Sequence, residues 1–292
     1  MTGQNPFAND EKVEITADID SATHTSFYVN GQKAFTAITG MSYLPSEIQT
    51  FGTVQQPFKI TFLLLINFYP TLIMKTLSVK KVNDSAITSA EQIPTIFDIE
   101  QIPFHQIDCI NWKDYPYHPD VKFRIAHTGN AILLHYCITE QSVRATAPED
   151  NGRVWEDSCA EFFVQPGTDN QYYNFECNCA GTLLIEYGKP GNREHAPLET
   201  VGQVTRWASL GRTPFEERLG ECSWQLALRI PISAFFHHSL TSLDGMRMKA
   251  NFYKCGDKLQ TPHFLSWSPI ALPSPCFHCP DFFGEITFES NK

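Results

Sequence analysis

Short segments in which apolar and polar residues alternate recur along the C-terminal part of the chain. A period of two is typical of strands that bury one face. Turn-forming glycine, proline and asparagine residues separate these segments, and we find no long amphipathic helical pattern. We therefore predict an all-β fold, an antiparallel β-sandwich of jelly-roll-like type. The clearest predicted strands are 121–126, 131–140, 159–164, 172–179, 182–187, 224–230, 246–254 and 283–288.

The segment 172–179 also predicts which side chains share a face of the sheet. Asn174, Glu176 and Asn178 fall on one face, whereas the residues between them, which are aromatic or cysteine, fall on the other. The segment 182–187 follows after a turn at Gly181, and residues 188–200 are interpreted as a long polar loop. The predicted sheet therefore carries a row of polar groups on one side.

The N-terminal region shows neither this alternation nor a usable motif. Residues 1–20 are polar and acidic, and they lack the apolar segment of a secretory signal. The apolar run 60–73 is shorter than the ~20 residues that a membrane-spanning helix needs, and Asn67 and Pro70 interrupt it. We interpret this run as a buried or poorly structured segment rather than a signal anchor, and we expect no membrane span. An alternative is that the natural protein starts at Met74. We predict an N-terminal extension over residues 1–85, disordered or not native, and one domain over residues 86–292.

Composition narrows the classes of partner. The chain has 292 residues, 42% of them hydrophobic, with a formal net charge of −10 and a pI near 5.4. Without a basic patch, nucleic acid is a poor partner, whereas a neutral sugar needs no long-range electrostatic attraction. Nine cysteines, an odd number, are scattered through a chain too large to need a disulfide framework. We therefore expect a cytoplasmic protein, with export by an unusual route left open.

The segment 152–165 is the strongest candidate for a binding site. It contains Trp155 among polar neighbours, followed by Glu161 between apolar residues. Sugar rings have apolar faces that stack on aromatic rings, and hydroxyl groups that bond to charged side chains. The alternatives are that Trp155 is an ordinary core residue and that Glu161 simply faces solvent.

These residues and their order resemble carbohydrate-binding module family 9, in particular uncharacterised family-9-like proteins of Bacteroidetes-type bacteria. The resemblance covers roughly residues 93–292. The residues that carry it are Trp155, Asp157-Ser158, Glu161-Phe162-Phe163, the strand with Asn174 and Glu176, Phe277, and Phe283-Gly284 with Ile286 and Phe288.

The resemblance implies a β-sandwich that grips the end of an oligosaccharide or polysaccharide chain between two aromatic side chains, in the context of polysaccharide catabolism. Trp155 would be the first aromatic plate and Phe277 the second, where characterised modules typically have tryptophan. Glu161 would bond sugar hydroxyls. The strand that carries an arginine in those modules has none between Tyr172 and Cys179, so a different hydroxyl pattern is implied. No cofactor is expected apart from structural calcium, whose ligands we do not assign.

Other residues suggest additional roles. His278, beside Phe277, could donate a hydrogen bond to a sugar hydroxyl. Arg144 could contact the ligand, but a solvated ion pair with Glu140, four residues earlier, is the better interpretation. The Cys276–Cys279 segment, together with Cys177 and Cys179, suggests zinc, although the spacing matches no recognised finger.

Three functions remain open at this stage. The first is non-catalytic carbohydrate binding. The second is a glycoside hydrolase that uses Glu161 and Glu176 as its carboxylate pair. The third is a protein-interaction domain that uses the loops and binds no sugar.

Overall fold

The computed structural model describes residues 15–21, 24–29, 32–38, 74–84, 87 and 89–290. The chain divides into two units, residues 1–70 and 71–292. In the first unit, strands β1 (Ile15–Ser21), β2 (His24–Val29) and β3 (Gln32–Ile38) form an antiparallel sheet in the order β1-β2-β3. The apolar run 60–73 lies outside the described residues.

The second unit is built almost entirely of strands, as the alternating pattern predicts. The strands are β4 (Thr76–Lys81), β5 (His105–Gln106), β6 (Cys109–Ile110), β7 (Asp120–His127), β8 (Ala131–Ala145), β9 (Cys159–Gln165), β10 (Tyr172–Asn178), β11 (Leu183–Lys189), β12 (Asn192–His195), β13 (Thr205–Ala208), β14 (Phe215–Pro231), β15 (Arg247–Cys255), β16 (Phe264–Ser266) and β17 (Gly284–Phe288). The helices are α1 (Ile93–Ile99) and α2 (Leu198–Val201), with 3-10 turns at Ala90–Gln92, Val154–Glu156, Ile232–Ala234 and Pro280–Phe282.

These strands form two layers, which we call sheet I and sheet II. Sheet I has the order β12-β11-β10-β9-β15-β17-β4, and sheet II has the order β4-β7-β8-β14-β13. Strand β4 belongs to both, and it pairs in parallel with β17 and with β7, whereas the other described pairs are antiparallel. The predicted all-β sandwich is confirmed. Residues 76–81, assigned from sequence to the extension, belong to the sandwich because their backbone pairs with both sheets.

The main core lies between the two sheets, and it follows from the alternation. Ile132, Leu134, Tyr136 and Ile138 of β8 all point into it. Across the layers, the Phe123 ring of β7 stacks on an aromatic ring of β15 with centroids 3.9 Å apart. Burial of apolar surface contributes roughly 25 cal/mol per Å², so these close-packed rings provide much of the stabilisation.

Helix α1 covers the outer face of sheet II and was not predicted. Phe97 and Ile93 of α1 pack with Leu133 of β8, which points away from the main core. The helix has seven residues, too few for a helical period to be distinguished from a short apolar run.

The predicted solvated ion pair between Glu140 and Arg144 is wrong. Glu140 is buried rather than solvated, and its carboxylate lies 2.9 Å from the ammonium group of Lys254, not beside Arg144. The Trp224 indole also donates to Glu140 at 2.7 Å. The ion pair joins β8 of sheet II to β15 of sheet I. It was missed because the partner is distant in sequence.

Among the residues that the structure describes, no helix has the length and apolar character needed to cross a membrane.

Candidate functional site

The outer face of sheet I carries the predicted polar row. In the register of this sheet, Glu161 of β9 lies opposite Glu176 of β10 on one side and opposite Tyr253 of β15 on the other. Asn174 lies opposite Phe163 and Glu186. Side chains directly opposite on one face are about 4.5–5.5 Å apart at their Cβ atoms, so these groups are immediate neighbours.

A cavity of about 340 Å³ opens over this face. Five of the seven candidate residues line it, and they come from two parts of the chain about a hundred positions apart: Trp155, Glu161 and Glu176, and Phe277 and His278. The cavity has the size of small-molecule sites, which run from roughly 300 to 1,000 Å³. Asn174 and Arg144 are not among the lining residues.

Trp155 stands at the rim of the cavity in the 3-10 turn Val154–Glu156. It is only partly buried, and it packs against the cluster of apolar residues on the outer face rather than in the main core. Its backbone carbonyl accepts a hydrogen bond from the backbone N–H of Asp257 at 3.2 Å. The turn is thereby fixed to the segment after β15, which holds the indole in place.

Glu161 and Glu176 form the floor of the cavity and are both buried. Burial raises the pKa of Glu161 well above its usual range, and the neighbouring Glu176 raises it further. Burial also raises the pKa of Glu176, against the effect of a hydrogen bond from Asn174. A carboxyl group with a raised pKa keeps its proton near neutral pH and can donate as well as accept hydrogen bonds.

Phe277 and His278 line the cavity from the loop that precedes β17. The Phe277 ring stacks on Tyr253 with centroids 4.1 Å apart and planes 8° from parallel, so one of its faces is covered. The Nδ1 atom of His278 is 2.8 Å from the hydroxyl of Tyr172. Burial lowers the pKa of His278 to about 4, so the ring is neutral at pH 7. Contacts with tyrosines of β15 and β10 therefore hold the Phe277 ring and the His278 imidazole beside the cavity.

Asn174 lies beside Glu176 on the same face of β10. Its Nδ2 atom donates to Glu176 at 2.8 Å and to Glu186 at 3.2 Å, and its Oδ1 atom accepts a hydrogen bond from Arg193. The guanidinium of Arg193 also lies 4.0 Å from the centroid of the Tyr172 ring. Arg193 of β12 therefore contacts two side chains of β10 on this face.

Sequence analysis missed Arg193 because residues 188–200 were interpreted as a loop, which is wrong. Strand β11 continues to Lys189 and turns into β12 at Asn192. The Pro190-Gly191 pair between these strands is a turn signal from which a hairpin could have been predicted.

Asp257 is a second residue that was missed, and it also lines the cavity. Burial raises its pKa to about 6, with a further contribution from Glu156. It follows Gly256 directly after β15, which is a position where loops carry site residues.

Arg144 lies away from the cavity and has a bracing role. Its guanidinium donates to the hydroxyl of Thr146 at 3.0 Å and 3.1 Å and to the backbone carbonyl of Lys258 at 3.0 Å. It also lies 3.4 Å from Asp157, a fully buried carboxylate that accepts three backbone or side-chain hydrogen bonds from residues 146 and 147. These contacts hold the turn that carries Trp155.

The cysteines that suggested zinc do not come together. Cys177 and Cys179 lie in the main core, whereas Cys279 packs on the outer face of sheet I. One group of three potential metal ligands is found in the described part of the chain: Cys159, Glu161 and Cys255. Its two thiols do not suit calcium, which takes oxygen ligands.

Comparison with known proteins decides the family. The model of carbohydrate-binding family 9 matches the chain over residues 91–288. The chain belongs to this family. The resemblance that the sequence suggested is confirmed, and family membership identifies the chain as a carbohydrate-binding protein.

Solved structures similar to this family 9 protein differ widely in their sequence identity to it. A candidate carbohydrate-binding protein from Bacteroides uniformis ATCC 8492 is 62% identical, with a TM-score of 0.73, and the match covers 74% of this chain and 100% of that chain. Two structures of a family 9 module from Caldicellulosiruptor kristjanssonii, in complex with glucose and with cellotriose, are each 11% identical. Their TM-scores are 0.44 and 0.47, and the matches cover 75% of this chain and 97% and 95% of theirs. A comparison with curated proteins finds no match.

Proposed function

We propose that this family 9 protein binds the end of a saccharide chain in the cavity over sheet I and does not cleave it. The observation that carries the proposal is the convergence of Trp155, Glu161, Glu176, Phe277 and His278 on one cavity. Because these residues come from two distant parts of the chain, local sequence proximity alone does not explain why they line one cavity. The cavity of about 340 Å³ lies within the size range of small-molecule sites, which supports binding of a chain end.

The cavity offers an aromatic face and hydrogen-bonding groups, which match the apolar faces and the hydroxyl groups of a sugar ring. The indole of Trp155 offers a flat apolar face, and aromatic contacts contribute roughly 0.5–1.5 kcal/mol beyond the burial of area. The carboxyl groups of Glu161 and Glu176 and the imidazole of His278 offer hydrogen bonds to hydroxyl groups. Since Asn174 holds Glu176 and is itself held by Arg193, little ordering is needed on binding.

The arrangement of the carboxyl groups disfavours a glycoside hydrolase. Glu161 and Glu176 are direct neighbours across β9 and β10, and both project from the same floor. A glycosidase needs its two carboxyl groups to flank the scissile bond, roughly 5–5.5 Å or 6.5–9.5 Å apart. Two groups on one side of the ligand cannot act from opposite faces of a sugar ring. We propose that the protein has no hydrolytic activity.

The test is a calorimetric titration with glucose, cello-oligosaccharides and xylo-oligosaccharides. Trp155→Ala is expected to weaken binding by roughly 2 kcal/mol, about 30-fold in Kd, as truncation of a stacking tryptophan in a binding site typically does. The matched control is Trp207→Ala, which removes a half-buried tryptophan of β13 in sheet II. Equal affinities of wild type and Trp155→Ala, or equal losses in the two variants, would contradict the proposal.

A further inference from the structure

Two cysteines and a carboxyl group meet at the floor of the cavity. In the pairing of β9 with β15, Cys159 lies directly opposite Cys255, and Glu161 follows two residues along β9 on the same face. The two Sγ atoms and a carboxylate oxygen of Glu161 all lie within 4.8 Å of one another, and all three residues are buried. The Cys255 thiol donates to Oε1 of Glu161 at 2.9 Å.

The carboxyl groups at the floor of the cavity are also buried without a direct ion pair. In the described part of the chain, no basic side chain forms an ion pair with Glu161 or Glu176. Lys254, which precedes Cys255, faces the other side of sheet I and pairs with Glu140. Buried carboxyl groups without a cationic partner must hold a proton or bind a cation.

We propose that Cys159, Cys255 and Glu161 form a binding site for a thiophilic divalent cation of the zinc class. Two sulfur ligands and one oxygen ligand suit Zn²⁺, whereas Ca²⁺ and Mg²⁺ take oxygen ligands. In a tetrahedral zinc site with Zn–S near 2.3 Å and Zn–O near 2.0–2.2 Å, ligand atoms lie roughly 3.5–3.8 Å apart. Small side-chain rotations bring the three groups to these separations. Each thiol loses its proton to solvent as its bond to the metal forms.

The fourth coordination position is open to the cavity. Glu161 and Cys255 both line the cavity, and Glu176, which lies opposite Glu161 in the sheet, is held by Asn174 through its Oε1 atom. Three protein ligands with one open position are typical of zinc sites that bind water or a substrate oxygen. A water molecule or a sugar hydroxyl would fill this position. The metal site does not depend on the proposed saccharide binding.

The experiment is a titration of the full chain with Zn²⁺ and, separately, Co²⁺, without saccharide and with a reductant that does not chelate metals. We expect one equivalent of Zn²⁺ to bind, and Co²⁺ to give the thiolate-to-metal charge-transfer absorption of a tetrahedral site. Cys159→Ser and Cys255→Ser are each expected to weaken Zn²⁺ binding by at least about 100-fold. Cys276→Ser and Cys279→Ser, which alter the thiols of the cavity loop, are the matched controls and should bind as wild type does.

Two results would overturn the proposal. One is the absence of a charge-transfer band in the unaltered chain at saturating Co²⁺, a measurement that does not depend on how the variants fold. The other is loss of Zn²⁺ binding in the Cys276→Ser or Cys279→Ser controls. A saccharide titration in the presence of a chelator keeps the two proposals separate, since it reports sugar binding without the metal.

Discussion

The buried ion pair between Glu140 and Lys254 should be among the most sensitive points of the sandwich. Both side chains have 0% exposure, and their charged atoms are 2.9 Å apart. Glu140→Gln leaves the ammonium group of Lys254 buried without its counter-charge. Breaking a buried pair by removing one partner costs roughly 3–5 kcal/mol. We expect a loss of this size in the free energy of unfolding, measured by urea titration with circular dichroism.

The pH dependence of stability gives a second measure of what the pair of Glu140 and Lys254 contributes to folding. Burial raises the pKa of Glu140, but the charge of Lys254 and a hydrogen bond from His263 outweigh it, so the pKa falls from 4.5 to about 2. Because the folded-state pKa is lowered, this stabilisation is fully present above pH 4.5 and is lost as the pH falls toward 2. The lowering corresponds to roughly 3 kcal/mol. The difference in stability between wild type and Glu140→Gln should therefore narrow below pH 4.5.

The double variant Glu140→Gln with Lys254→Met distinguishes the effect of an unpaired buried charge from the effect of altered packing. Removing both charges should restore much of the lost stability, because no unpaired charge remains buried. Glu216→Gln, on an exposed position of β14, is the control and should change stability by less than about 0.5 kcal/mol. A cost below about 1 kcal/mol for Glu140→Gln at pH 7 would refute this reasoning.

Two further predictions concern the support of the cavity and the join between the sheets. Arg193→Met removes the hydrogen bond to Asn174, which holds Glu176, so we expect saccharide affinity in calorimetry to fall about tenfold, or about 1.4 kcal/mol. Unchanged affinity would show that Arg193 does not position Glu176. Gly284→Ala would place a Cβ atom 2.3 Å from the carbonyl oxygen of Lys75, so we expect a loss of roughly 1–3 kcal/mol in thermal unfolding. Gly167→Ala, with its nearest neighbour at 3.4 Å, is the control, and an equal loss there would contradict the steric explanation.

Sequence reasoning succeeded where side chains obey the period of a strand. The faces assigned within 172–179 are those observed, with Phe175 in the main core and Glu176 on the outer face. Such alternation is local, because each strand has to bury one face whatever its neighbours are. For the same reason, Glu161 was placed on the face opposite Phe162.

The features that the sequence did not predict depend mostly on contacts between residues that are distant in the chain. The partner of Glu140 is more than a hundred residues away, and no local spacing could indicate Lys254. Likewise, the approach of Cys159 to Cys255 follows from the register of β9 with β15, which is set by the whole sheet. The first half of β14, Phe215–Ser223, was missed because it is largely exposed and carries no buried stripe.

The most direct test of saccharide binding in the cavity over sheet I is a crystal structure of the complex with a saccharide. We expect a terminal sugar ring within about 4 Å of the Trp155 indole, with hydroxyl groups hydrogen-bonded to Glu161 or Glu176. A second cavity, of about 490 Å³, lies on sheet II between Phe104 and Trp224. A saccharide bound there, with the cavity over sheet I empty at saturating ligand, would contradict the account.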